Sequence, residues 1–221
     1  MPAQIISYAG LKAGMLAWLA RTSDALLESR FDDFLQGCER RMYYGHATEE
    51  PGNALRSDPL RIVEMETSDP AFVLQATVAQ PLAFVELISV LLNSPEALLE
   101  IVSQRTLDAY GAQRLGRIAK IAISGTNFRV KDDPAAATAT LRYYQKLATP
   151  SGAIVNAILT GYPDVYLFGC LIEAAIFTQD ELGAQRYLQL YNASVAGLNA
   201  RTQRITASAA PVIRLRAGML P

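Results

Sequence analysis

At 221 residues, with 51% apolar and 19% charged side chains, the chain is long enough to bury a sizeable core and is not a disordered polypeptide. A formal net charge of −1 and a pI near 5.9 exclude a protein built chiefly to grip nucleic acid, which carries a basic stripe. A surface past which DNA merely moves stays compatible with this charge.

The first element expected is a helix over residues 8–20, with Ser7 as its N-cap and Tyr8, Leu11, Met15, Trp18 and Leu19 on one face. Asp24 can cap a second helix over residues 25–44, whose stripe is Leu27, Phe31, Phe34, Leu35, Cys38 and Met42. Only Arg21-Thr22-Ser23 separates the two, so an antiparallel hairpin is expected. Residues 45–59 hold Pro51, Gly52, Asn53 and Pro59 and read as a loop.

Beyond the loop the hydrophobic period falls from 3.6 toward 2. Residues 62–67 look like a strand, Ser68-Asp69-Pro70 like a turn, and residues 72–78 like a strand with Phe72, Leu74, Ala76 and Val78 on one face. The apolar run at 84–92 fits a buried strand or a helix; its flanking Pro81 and Asn93-Ser94-Pro95 favour the strand. Residues 98–102 read as a short strand or a helix start, and 103–110 as a short helix ending at Gly111. Segments 117–124 and 126–131 flank Ser124-Gly125, a hairpin signal, and Asp132-Asp133-Pro134 is a turn. Residues 138–144 alternate again, with Ala139, Leu141 and Tyr143 together. Residues 60–149 thus form a β-rich insert of five to seven short strands.

Residues 161–177, GYPDVYLFGCLIEAAIF, are apolar almost all round, with Pro163 suited to the first helical position and Asp164 to the positive end of the dipole. Such a helix is buried in a core or against other subunits. It falls short of the roughly 20 residues a membrane span needs. A last helix is expected over 179–205, with Leu182, Tyr187, Leu190 or Tyr191, Val195, Leu198, Thr202 and Ile205 as its stripe, completing a second antiparallel hairpin. From Thr206 the helical pattern stops. Pro211 and the alternating Val212, Ile213, Arg214, Leu215 and Arg216 form an extended arm, suited to a neighbour's sheet edge or groove.

Catalytic chemistry finds little support. The single histidine, His46, lies in a loop context, and Cys38 and Cys170 sit in apolar helical patterns, as buried free thiols do. That leaves no Ser-His-Asp or Cys-His arrangement, no Cys/His cluster with zinc spacing and no phosphate loop. Cofactor and metal are both read as none. The acidic pairs Asp32-Asp33, Glu49-Glu50 and Asp132-Asp133 read as solvated surface. Tyr43-Tyr44 and Tyr143-Tyr144 fit packing positions better than base stacking. Arg201, Arg204, Arg214 and Arg216 form a modest basic patch. The N-terminal residues lack a basic start and long apolar stretch, so folding in a cytoplasm is expected.

The pattern as a whole resembles the adaptor, or head-to-tail connector, proteins of tailed bacteriophages. Residues 161–175 are similar to the family's YPD-LYLYGALLEAA helix, preceded by Thr140-Leu141-Arg142-Tyr143-Tyr144. Asp180, Arg186, Tyr191, Ala193 and Leu198-Asn199 match its D…R…Y-x-A…LN pattern. Tyr8, Leu11-Lys12, Trp18-Leu19 and Glu39-Arg40-Arg41-Met42 match its opening. Between 80 and 125 the family's glycine- and proline-rich turns are sparse here.

The resemblance implies a structural virion protein without catalytic residues. It implies a homo-oligomeric ring, a dodecamer matching the portal, docked beneath the portal protein. Such a ring extends the channel for double-stranded DNA and carries tail or nozzle proteins, with the arm inserted into the portal or a neighbouring subunit. Expected in sum is an α+β fold. A helical core of residues 1–50 and 150–205 forms an antiparallel bundle of two hairpins. A β-rich insert covers 58–149, and an arm covers 206–221. Other neck components, a stopper or tail-completion protein, are the alternative, and a small α+β enzyme is a third.

Overall fold

A computed structural model describes residues 5–46, 55–94, 96–109, 120–131 and 137–207. The described residues form a mixed α+β protein with seven helices and two four-stranded sheets. The chain divides into two compact units, one of residues 1–14 and 63–163, the other of residues 15–62 and 164–221.

The first unit is a β-sandwich. A 3-10 turn, Val63–Met65, leads into β1 (Glu66–Leu74), followed by β2 (Thr77–Ala79), β3 (Phe84–Asn93), β4 (Glu96–Leu98) and β5 (Glu100–Val102). A short helix intervenes before β6 (Lys120–Ser124), β7 (Asn127–Val130) and β8 (Ala137–Gln145). One sheet has the order β1-β8-β3-β4, the other β2-β7-β6-β5. Their inner faces share one core that includes Leu74, Val90, Leu92, Ile121, Phe128, Ala139 and Leu141. Phe84 and Phe72 set their ring edges against Phe128, at centroid distances of 5.2 and 6.0 Å.

The chain crosses between the sheets at two corners. One is Gln75-Ala76, between β1 and β2, which divides the continuous strand expected over 72–78. The other is the single residue Leu99, between β4 and β5, whose N–H donates to the carbonyl of Val90 at 2.9 Å. The apolar run at 84–92 is a strand, as its flanking turn residues favoured. Its pairing with β8 shifts between Leu87 and Ser89, which moves the buried positions from Leu87 to Val90 and Leu92. That parity switch is why the run showed no clean alternation.

Two expectations for this unit need correction. Residues 62–67 are not one strand, since 63–65 form the 3-10 turn. Ser68-Asp69-Pro70 is not a turn but lies inside β1. Pro70 is tolerated because β1 is an edge strand and its pairing with β8 shifts between Asp69 and Phe72. Asp69 Oδ1 accepts the Ala71 N–H there at 3.1 Å. The hairpin at β6–β7 has Gly125 at the first of two loop positions, with φ +59°, where a primed turn calls for glycine. Eight strands are described, more than the five to seven expected.

Helices flank this unit's strands. The intervening helix α4 (Gln104–Ala109) follows β5 and packs on β6, where Leu107 and Ala122 are both buried. Helix α5 (Ala157–Gly161) is capped by Asn156, whose Oδ1 accepts the Leu159 N–H at 2.9 Å.

In the second unit, α2 (Ala25–Ser29) starts at the Asp24 cap, which accepts the N–H groups of Leu26 and Leu27. The continuous helix expected over 25–44 is interrupted at Arg30 (φ −96°, ψ 3°), and α3 (Phe31–Tyr44) follows. The Ser29 hydroxyl donates to the Leu26 carbonyl at 2.8 Å and competes with the backbone ladder at the break. Helices α6 (Pro163–Phe177) and α7 (Glu181–Ala207) complete the unit. Helix α1 (Tyr8–Trp18) straddles the boundary between the units, which falls after Gly14.

The stripe expected on α7 also needs correction. Val195, Thr202 and, of the two alternatives, Tyr191 rather than Leu190 are buried as expected, Ala184 and Leu188 join them, and Leu182 and Ile205 are exposed. The buried set follows the 3.6-residue period.

Candidate assembly surfaces

The helical unit is organised where α6 meets α3. Gly169 lies so close to α3 that a Cβ there would overlap the Cys38 sulfur. Beside it, Arg41 (5% exposed) donates through Nε and Nη2 to Glu173 Oε1, at 3.2 and 2.8 Å, and through Nη1 to the Leu55 carbonyl at 3.1 Å. Glu39 accepts from the Tyr166 hydroxyl at 3.0 Å. Trp18 and Phe168, and Phe34 and Phe177, are ring contacts at 5.6 Å.

Chemically this cluster is inert. Cys38 and Cys170 are both fully buried and not joined in a disulfide. A hydrogen bond to Cys170 and burial push the Cys38 thiol well above its usual range, so it stays protonated and non-nucleophilic. Burial likewise raises the Tyr191 phenol, whose hydroxyl has no hydrogen-bond partner among the described residues. Arg41 is the residue that sequence reasoning missed as a packing group. Position 41 lies three residues beyond Cys38, on the apolar stripe, and that spacing was the available signal.

Segment 55–62 is fastened to α7 by two asparagines. Asn199 Oδ1 accepts the Arg61 N–H at 2.7 Å while its Nδ2 donates to the Pro59 carbonyl at 3.0 Å. Asn192 Nδ2 donates to the Arg56 carbonyl at 3.0 Å. His46 is half-buried and pairs through its backbone with Ser57, so its place is structural.

The remaining residues singled out in the sequence do not converge. Tyr43 and Tyr143 are buried, Tyr144 is half-buried and Tyr44 is exposed. Burial and the Asp69 charge raise the Tyr143 phenol. Asp32 and Asp33 are exposed in the first turn of α3, and Asp33 pairs with Arg30 at 3.1 Å. Arg201 and Arg204 are exposed on α7. Pro211, Val212, Ile213, Arg214, Leu215 and Arg216 lie outside the described residues, as do Glu49-Glu50, Gly111 and Asp132-Asp133-Pro134. Among the described residues no group of three or more His, Cys, Asp or Glu is placed to hold a metal, and no helix is long and apolar enough to cross a membrane.

What the described surface offers instead is exposed apolar area. On the sandwich Leu82, Leu98 and Ile101 stand out, and on the helical unit Leu26, Leu182 and Trp18. The sequence pattern of the SU10 adaptor protein family matches residues 6–215. The chain belongs to that family. Its members are head-to-tail adaptors of bacteriophages, so the protein is a structural component of a phage virion and associates with other neck or capsid proteins. The resemblance drawn from the helix at 161–175 and from both chain ends was to this kind of protein. No curated protein matches the chain.

Proposed function

We propose that the protein forms a homo-oligomeric ring beneath the portal, extends the DNA channel and offers the platform on which tail or nozzle proteins assemble. The family match over 6–215 carries this reading. A copy number of twelve follows from matching a dodecameric portal.

Three features of the chain support it. Its net charge of −1 suits a lumen through which double-stranded DNA slides without being retained. Exposed Leu82, Leu98, Leu182 and Leu26 are surface for contacts between copies and with other neck proteins. The arm, with Pro211, Val212, Ile213, Arg214, Leu215 and Arg216, is the partner-binding segment.

The test is the mass of the purified protein alone and mixed with the portal protein of the same phage. A ring-sized complex on the portal is expected. A chain that stays monomeric with portal present overturns the reading. Deleting residues 206–221 is expected to abolish docking while leaving the helical unit folded, and normal assembly of that truncation would remove the arm from the proposal.

A further inference from the structure

Among the described residues two sheet edges meet along one flank of the sandwich. Strand β4 ends one sheet and β5 ends the other, and only Leu99 separates them in the chain, so both edges lie on the same side. In the parallel pairing Ile101 stands level with Ile121. Parallel partners carry their side chains on the same face, and Ile121 is fully buried in the core between the sheets. Ile101 therefore faces the core, yet it is 43% exposed. The outer face of the same edge presents Glu100, which pairs with Lys120 at 3.1 Å and stays 64% exposed, open to a second cation. Glu96, on β4, is exposed as well. A strand that fits the β5 edge is therefore apolar on its inward face and basic on its outward face.

The chain itself contains such a segment. In an extended conformation Ile213 and Leu215 share one face, and Val212, Arg214 and Arg216 share the other. We infer that residues 211–216 of one copy add to the β5 edge of the next copy. Ile213 and Leu215 close the core over Ile101, and Arg214 lies beside Glu100. This inference rests on the ring reading and names what the arm holds. A closed ring needs a heterologous contact, made by two different and complementary patches on the same chain. The β5 edge and the arm are such a pair, and β-augmentation supplies main-chain hydrogen bonds as well as side-chain fit. The longest edge strand described, β1, is unsuited to the role because Pro70 and the register shift beside it interrupt the ladder.

The experiment uses the full chain carrying Ile101→Cys and Ile213→Cys, assembled with portal protein and treated with a mild thiol oxidant. Mass measured before oxidation reports whether rings form. Disulfide-linked dimers and higher multimers are expected on a denaturing gel, with none from a Leu82→Cys, Ile213→Cys chain. Adding Glu100→Arg is expected to lower the cross-linked yield about fivefold, the size of an exposed charge pair made repulsive, and adding Arg214→Glu to that chain to restore it. Rings that form without cross-linked multimers, or with cross-links only within single chains, overturn the inference while leaving the ring intact. If no ring forms on the portal, the ring reading fails and this inference falls with it.

Discussion

Gly169 and Cys38 are in contact with no room between them: the α6 backbone rests on the α3 thiol, and a methyl group at Gly169 would occupy the space of the sulfur. Gly169→Ala is expected to destabilise the protein by about 1–3 kcal/mol, because a packed interior answers overfilling with shifted backbone. That loss outweighs the roughly 1 kcal/mol that alanine gains over glycine in a helix. Cys38→Ala on the same chain removes the obstructing atom and should recover part of the loss. Urea unfolding of the two single variants and the double variant measures the coupling, and additive losses would show that the contact is not what limits position 169.

Glu173→Gln is expected to cost about 3–5 kcal/mol, because it leaves the Arg41 guanidinium buried without its counter-charge. Replacing both partners, as Arg41→Met with Glu173→Leu, should cost less than Glu173→Gln alone. Thermal unfolding of the three chains checks the order.

Asn199→Ala removes one acceptor and one donor that hold the backbone of segment 59–61 on α7. A cost of about 1–3 kcal/mol is expected. The local signature is more specific than the global one. Amide hydrogen exchange at Arg61 should speed up while the amides in the middle of α6 change only with overall stability.

Stability is expected to fall as pH rises above about 9–10. The native state keeps the Cys38 thiol and the Tyr191 and Tyr143 phenols protonated past their ordinary values of 9.0 and 10.0, while the unfolded chain releases those protons there. Raising the pH through this window therefore favours the unfolded chain. Tyr191→Phe should flatten the upper part of the decline. At neutral pH it should be close to neutral, since the hydroxyl it removes has no partner among the described residues. Urea midpoints between pH 7 and 11 decide this.

Two helices stop without the glycine such stops favour. Ala20 (φ 54°) and Gln179 (φ 59°) follow α1 and α6 in the left-handed region. Each is wrapped by the paired bonds of a Schellman motif, from Arg21 N–H to Leu16 and from Asp180 N–H to Ala175, at 3.0 and 2.9 Å. Gln179→Gly is expected to stabilise by about 1 kcal/mol, read as a raised melting temperature.

The helical elements were legible where one face had to be buried. Phe31, Phe34, Leu35, Cys38 and Met42 repeat at three and four, and all are buried. On α7 the reading slipped because Leu182 and Ile205 are apolar yet exposed, and hydrophobicity alone does not tell a core stripe from contact surface. In the β-rich part the alternation of Ala139, Leu141 and Tyr143 was clear. The sheet-crossing corners at Gln75-Ala76 and Leu99 carry no glycine or proline to mark them. Nor did the sequence pair Arg41 with Glu173, because partners 132 residues apart leave no local pattern.

The order of pairing also sets the order of events during synthesis. β1 pairs with β8, and Glu66 meets Arg142, 76 residues further along, while α3 waits for α6 across more than 120. Neither unit closes on contacts made by the first half of the chain. The nascent polypeptide leaves the ribosome with the apolar face of β3 uncovered until β8 has been made, and that of α3 until α6 has followed. High contact order of this kind slows folding and prolongs exposure to aggregation. Yield in a heterologous host should therefore respond to lowered growth temperature and added chaperone more than to any change in surface charge.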